Sequence, residues 1–212
     1  ILFIFALCGM IFGSVSAIRE SDIRRMIAFS SVAQIGYIFM GIGMGTKAGM
    51  VAAIFHILTH AATKSLLFIA AIGLTDVSGY SRKFYDITGA GYRNKVAGVG
   101  FLVGSLSMVG VPLFSGFISK YLFATGAIKL TGKMMPALIC LAVSTILNAI
   151  YFMKTVIRIY TPDNSLHYQS VKTKDEMLYA FTMVGFIAIN LLLGINSHPV
   201  VLFIEQGLEM FS

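Results

Sequence analysis

Apolar residues run along this chain in six long blocks, at residues 1 to 18, 26 to 44, 48 to 74, 96 to 128, 136 to 160 and 177 to 195. A bilayer core about 30 Å thick takes about 20 helical residues to cross, and each block is long enough. The pattern predicts an all-α membrane protein with about six transmembrane helices. Between the blocks, residues 75 to 95 carry Gly79, Ser81, Gly89 and Gly91 among mixed charges, the composition of a surface loop with room for a short interfacial helix. Residues 161 to 175 are similarly polar; Pro162-Asp163-Asn164 reads as a turn and His167 as a solvated loop residue. After residue 195 comes a short apolar run with Glu205 and Glu209, expected to lie in the interface or against a neighbour. The expected division is therefore a transmembrane domain over residues 1–195 and an interfacial tail over 196–212.

The fourth block is unusual. As one straight helix its 33 residues would measure about 50 Å and overshoot the hydrocarbon core. Gly110-Val111-Pro112-Leu113-Phe114-Ser115-Gly116-Phe117 supplies the means to break it, because Pro112 cannot donate to the Met108 carbonyl and the glycines relax the backbone. Carbonyls freed at membrane depth must find water or polar side chains, which implies a hydrated cavity beside Pro112 and Gly116. The residues alone leave a second reading open, an ordinary proline kink with Lys120 at the membrane edge.

Composition agrees with the pattern. Of 212 residues, 57% are hydrophobic and 12% charged, against about half and about a quarter in a soluble domain. A water-soluble globule and a soluble catalytic domain are both excluded. Cys8 and Cys140 lie in separate apolar runs without CxxC or Cys/His spacing, so no iron–sulfur cluster, zinc site or disulfide framework is expected. The net charge of +7 sits at the borders of the apolar blocks and calls for no nucleic acid. One set of alternate connections collects eleven basic residues: Arg19, Arg24, Arg25, Arg82, Lys83, Arg93, Lys95, Lys154, Arg158, Lys172 and Lys174. The other set has three, Lys47, Lys129 and Lys133. Basic residues favour the cytoplasmic side, so the first helix should enter from the outside.

Lys64 and Lys120 belong to no loop, and none of the nine carboxylates lies in an apolar block. His56, His60 and Lys64 follow one another at i, i+4 steps, three ionisable side chains on one helical stripe. Lys64 is about 15 Å from the nearer end of its block, beyond what snorkelling covers. Intramembrane charges face a polar interior or a water-filled path. Two histidines one turn apart also suggest a metal, but zinc wants a third ligand and Lys64 would repel the ion, so no metal is expected. Gln34, Asn148 and Asn190 are milder polar insertions, read as interhelical glue or as pathway, and Ser30, Ser31, Ser105 and Ser107 add hydroxyls. A lysine exchanges protons near neutral pH only where desolvation or a second cation disfavours its charged form, and a histidine titrates there unaided. These residue types fit a hydrated proton wire, with the intramembrane acid missing.

Asp22-Ile23-Arg24-Arg25-Met26-Ile27-Ala28-Phe29-Ser30-Ser31-Val32-Ala33-Gln34-Ile35-Gly36-Tyr37, the stretch from His56 to Phe68 and that from Pro112 to Lys120 resemble, in order and separation, the proton-conducting antiporter-like subunits of respiratory complex I. The same family includes the large subunits of multisubunit Na+/H+ antiporters and of membrane-bound hydrogenases. The resemblance covers most of residues 1 to about 160 and implies the last six helices of a fourteen-helix inverted-repeat fold. It implies Lys64 as the central proton-carrying lysine, His56 and His60 as its relay, and Lys120 as the terminal lysine on the broken helix. It further implies a carboxy-terminal piece of a longer protein, holding its second half-channel, in a bacterial or archaeal cytoplasmic membrane. Its partners would be other membrane subunits, the lipid bilayer and H+, with Na+ left open; no cofactor and no redox centre are expected in this chain. Ala62 and Thr63 depart from the bulkier apolar residues usual beside that lysine, and Tyr121 replaces an acidic residue of some members. Two other classes of function stay open: a structural membrane subunit without conduction, and a stand-alone carrier of an anionic solute.

Overall fold

Three of the helix starts are set by short polar side chains. In the computed structural model, which describes residues 1–162 and 176–210, Asp22 accepts from the backbone N–H groups of Arg24 and Arg25 at 2.8 and 3.1 Å. Thr46 accepts from Gly49 at 3.1 Å and Asn94 from Ala97 at 3.0 Å. Each satisfies an N–H that the first helical turn leaves unpaired. The described residues form α1 (Leu2–Arg19), α2 (Ile23–Met44), α3 (Lys47–Asp76), α4 (Ala90–Arg93), α5 (Lys95–Val109), α6 (Ser115–Ile128), α7 (Met134–Ile159), α8 (Glu176–Ile195) and α9 (His198–Glu209). Of these, α1, α2, α3, α7 and α8 are long and apolar enough to cross a membrane.

The fourth apolar block is two half-helices, α5 and α6, separated at residues 110–114. Gly110 closes α5 with φ of 90°, a left-handed conformation open to glycine. The expected six crossings are thus five continuous helices and one interrupted one. The 75–95 loop contains the single short helix α4. His167, Lys172, Lys174 and the turn at Asp163-Asn164 lie outside the described residues.

The two sets of connections lie at opposite ends. At one end Arg24 Nη2 donates to Thr75 at 3.3 Å, and the backbone pairs Ile23 with Arg82 at 3.0 Å and Gly89 with Arg158 at 3.3 Å. At the other, Lys133 Nζ donates to the Gly43 carbonyl at 3.0 Å and Lys47 pairs with Glu209 at 2.6 Å. Large apolar side chains such as Phe5, Phe12, Ile146, Ile157 and Phe181 are exposed on the flanks. Such a belt is what a bilayer or a neighbouring membrane chain covers.

Packing divides the interior into layers. One apolar cluster, including Met26, Ile27, Leu66, Leu67, Phe101, Met108 and Phe152, fills the basic end. A second, including Met10, Tyr37, Met40, Ala52, Phe123 and Leu141, fills the other. The polar residues occupy the interval between the clusters on each helix: Ser30 and Gln34 on α2, His56 to Lys64 on α3, Ser107 to Lys120 around the break, Ser144 and Asn148 on α7.

Helix α3 is the hub and touches α2, α5, α6, α8 and α9. Tyr179 of α8 donates to the Ile69 carbonyl and Asn190 accepts from Thr63. Farther along, Ile204 of α9 joins Val51 and Phe55, and Glu209 meets Lys47. The register runs steadily antiparallel, so α9, formed by the short apolar tail, continues the line of α8 along the first part of α3. The interruption at Asn196 and Ser197 lies beside the break in the other helix: a Cβ built on Gly194 would overlap the Leu113 carbonyl.

The two half-helices also approach closely. A Cβ on Gly116 would overlap the carbonyl of Ser107, and a backbone carbonyl cannot step aside as a side chain does. Gly116→Val is therefore expected to cost about 3 kcal/mol, the upper range for overpacking, read as a lowered Tm and yield of the assembled protein. Wild-type Tm would show that the half-helices are not in contact there.

Candidate functional site

The ammonium group of Lys64 is buried, with 6% of the residue exposed. It crosses to α2, where Nζ donates to the Ile27 carbonyl at 3.0 Å and makes a short hydrogen bond to the Ser30 hydroxyl. The Ser30 and Ser31 hydroxyls donate to the same carbonyl at 2.8 and 3.2 Å. Lys64 Nζ also lies 5.8 Å from the centre of the Phe152 ring on α7, within cation–π range.

Lys120 is held in a related way by the break. Its Nζ donates to the carbonyls of Met108 at 2.9 Å and Val109 at 2.7 Å. Pro112 cannot serve the Met108 carbonyl, and Lys120 does so instead. The end of α5 carries the partial negative charge of the helix dipole, so a cation there is favoured. Lys64, buried, and Lys120, half-buried, thus both meet backbone carbonyls where the sequence suggested a missing acid.

His56 Nδ1 and the Ser119 hydroxyl share a hydrogen bond at 2.6 Å, and the rings of His56 and His60 stack with centres 6.0 Å apart. Tyr37 and Phe123 enclose His56, with ring centres at 5.6 and 5.4 Å. A cavity of about 10 Å³ is lined by Gln34, His56, His60, Thr63, Gly116 and Lys120 among others. That is about the space one water needs. Gln34 Nε2, His56 Nε2, His60 Nε2, Ser105 Oγ and Asn148 Nδ2 are buried without a protein partner. Buried polar atoms of this kind call for water.

The site residues expected from sequence fall into two groups. His56, His60, Gln34, Gly116 and Lys120 share the small cavity. Lys64, Ser30 and Ser31 gather at the Ile27 carbonyl; Asn148 accepts from Tyr151 on the same side at 2.5 Å. Pro112 stands in the break without lining the cavity. No group of three metal-ligating side chains occurs among the described residues.

Sequence reasoning missed two features. One is Ser119, although it precedes Lys120 and follows Ser115 by one turn. The other is the position of Asn190, whose Oδ1 accepts from Thr63, Ser107 and Ser115 at 2.7, 2.9 and 2.9 Å. This single amide ties α3, α5, α6 and α8 together beside the break. Its polar side chain in an apolar run was the signal; its three partners were not readable.

The comparisons bear on this arrangement. The family described as NADH:quinone oxidoreductase/Mrp antiporter, transmembrane, matches residues 1–147. NADH-quinone oxidoreductase subunit N of Desulforudis audaxviator is 36% identical over 155 residues, 73% of this chain and 30% of that protein. NADH-quinone oxidoreductase subunit M of Rickettsia conorii is 32% identical over 146 residues, covering 69% of this chain and 29% of the relative. The chain therefore spans about 30% of the length of these relatives. A chain of the Mrp complex from Dietzia sp. superposes with a TM-score of 0.82 at 22% identity, over 96% of this chain and 45% of that one, and so shares the fold. With the matched residues spanning α1 to the first half of α7, and thus both lysines, the histidine pair and the broken helix, this multi-pass integral membrane protein belongs to the transmembrane family of NADH:quinone oxidoreductase and Mrp antiporter subunits.

Proposed function

We propose that this chain carries protons across the membrane, as the second half-channel of a subunit in a redox-driven pump or a cation/proton antiporter. The observation that carries the reading is the pair of interior lysines on either side of stacked histidines, with unpartnered polar atoms and a water-sized cavity between. Lys64 takes a proton at the Ser30 side, His60 and His56 pass it through internal water, and Lys120 releases it beside the break. Each carrier needs both protonation states, and backbone carbonyls favour this. They hydrogen-bond the ammonium without the full negative charge that would lock it there. Residues 1–195 form the half-channel in this reading, and α9 closes its flank. The partners are other membrane subunits, which supply the redox or ion-gradient driving force. The small cavity speaks against an anionic solute, which needs far more room than one water.

His56→Leu combined with His60→Leu tests the reading. In the assembled complex reconstituted into vesicles, proton translocation per complex should fall by at least about tenfold. A purely structural role predicts poorer assembly with normal translocation per complex. Uptake of labelled sodium in the same vesicles identifies a coupled cation, and loss of sodium uptake together with proton release marks the antiporter form.

A further inference from the structure

A cleft of about 230 Å³ opens at the basic end of the bundle, between α1, α2, α7 and the 75–95 loop. Its lining includes Glu20, Ser21, Met26, Tyr151, Lys154 and Thr155. Ser21 and Lys154 are exposed at its mouth, whereas Tyr151 and Thr155 are buried. Tyr151 lies eight residues before the end of α7, so the cleft reaches about 12 Å below that end. The Tyr151 hydroxyl adjoins Ser30, the residue whose hydroxyl contacts the Lys64 ammonium. It also donates to Asn148 Oδ1 at 2.5 Å, while Asn148 Nδ2 is buried and unpartnered. Reversing that amide turns Nδ2 toward the phenol and frees the phenol proton for Ser30; the two amide orientations are equivalent in shape.

We propose that this cleft is a cytoplasmic access route to Lys64, with Tyr151 as the proton-passing residue at its floor and Asn148 as the group that orients it. The proposal rests on the proton-transport reading and adds a way in to Lys64 from the basic end. A protonated cleft water gives its extra proton to Tyr151 Oη, remaining as neutral water, as the phenol proton moves to Ser30 Oγ and the Ser30 proton moves to neutral Lys64 Nζ. One proton is transferred, each hydroxyl ends neutral, and rotation of the hydroxyls resets the chain.

Two measurements on the intact complex test this. Tyr151→Phe keeps the ring against Phe152 and removes only the hydroxyl; proton translocation is expected to drop at least tenfold with assembly unchanged. Thr155→Cys should be modified by a membrane-impermeant thiol reagent in inverted vesicles and not in right-side-out ones, with the labelled peptide identified by mass and translocation blocked. Normal translocation in Tyr151→Phe, or modification of Thr155→Cys from the outer face alone or from neither, overturns the proposal. If Tyr151→Phe does not assemble, the labelling decides. Lys64→Met and Lys120→Met serve as references: if both still translocate protons, the transport reading itself fails. If both are inactive while Tyr151→Phe is normal, only the access route falls.

Discussion

Lys64→Met should abolish proton translocation while leaving the assembled complex as stable as wild type or more so. Methionine matches the lysine stem in length and fits an apolar wall, so the packing against Phe152 survives. The Ile27 carbonyl keeps its Ser30 and Ser31 donors after the ammonium is gone. The Ser30 oxygen loses the ammonium as a donor, but its hydroxyl keeps its own bond to that carbonyl. Removing a cation from a site 6% exposed relieves its desolvation, and the substitution is expected to stabilise by about 1 kcal/mol or to be neutral. Transport behaves oppositely, because methionine neither binds nor releases a proton. The combination of lost translocation, in vesicles energised through the whole complex, with an unchanged or raised Tm separates conduction from structural support. A structural lysine would reverse it, with Tm falling and translocation per assembled complex intact.

That split also explains what the sequence could reveal. The blocks of apolar residues marked each crossing to within a few residues, and the excess length of the fourth located the break, because bilayer thickness limits helix length physically. His56, His60, Lys64 and Lys120 were legible because charge and imidazole are conspicuous in apolar runs. Their acceptors were not. Every residue has a carbonyl, and only the fold selects Ile27, Met108 and Val109 to hold an ammonium; Pro112 gave the one hint, by leaving Met108 without its usual donor. Asn190 reaches a residue 127 positions away, a pairing no local pattern encodes. Tyr151 looked like one more aromatic among apolar neighbours. The continuation of α8 into α9 was written in Asn196-Ser197-His198-Pro199, a polar turn followed by proline, but span length alone stopped the crossing at residue 195.

Lys120 offers the sharper test, since three substitutions separate its charge from its proton. Lys120→Arg keeps a cation against the carbonyls of Met108 and Val109, so the fold should hold; guanidinium does not deprotonate in proteins, so translocation should be lost. Lys120→Met loses both, stranding two acceptors at the end of α5 at a cost of about 1 to 3 kcal/mol. Lys120→Glu is the most damaging. It aims a carboxylate at the negative end of a helix dipole, turning an attraction worth up to about 2 kcal/mol into a repulsion of similar size. The expected order of Tm is wild type and Arg highest, then Met, then Glu, with proton translocation lost in all three variants. If Arg sustains translocation at the wild-type rate, Lys120 acts as a fixed charge and the proton must leave by another group. If Glu matches wild type in Tm, the carboxyl is protonated against those carbonyls or the half-helices have moved apart, and the carbonyl grip on Lys120 is not what shapes the break.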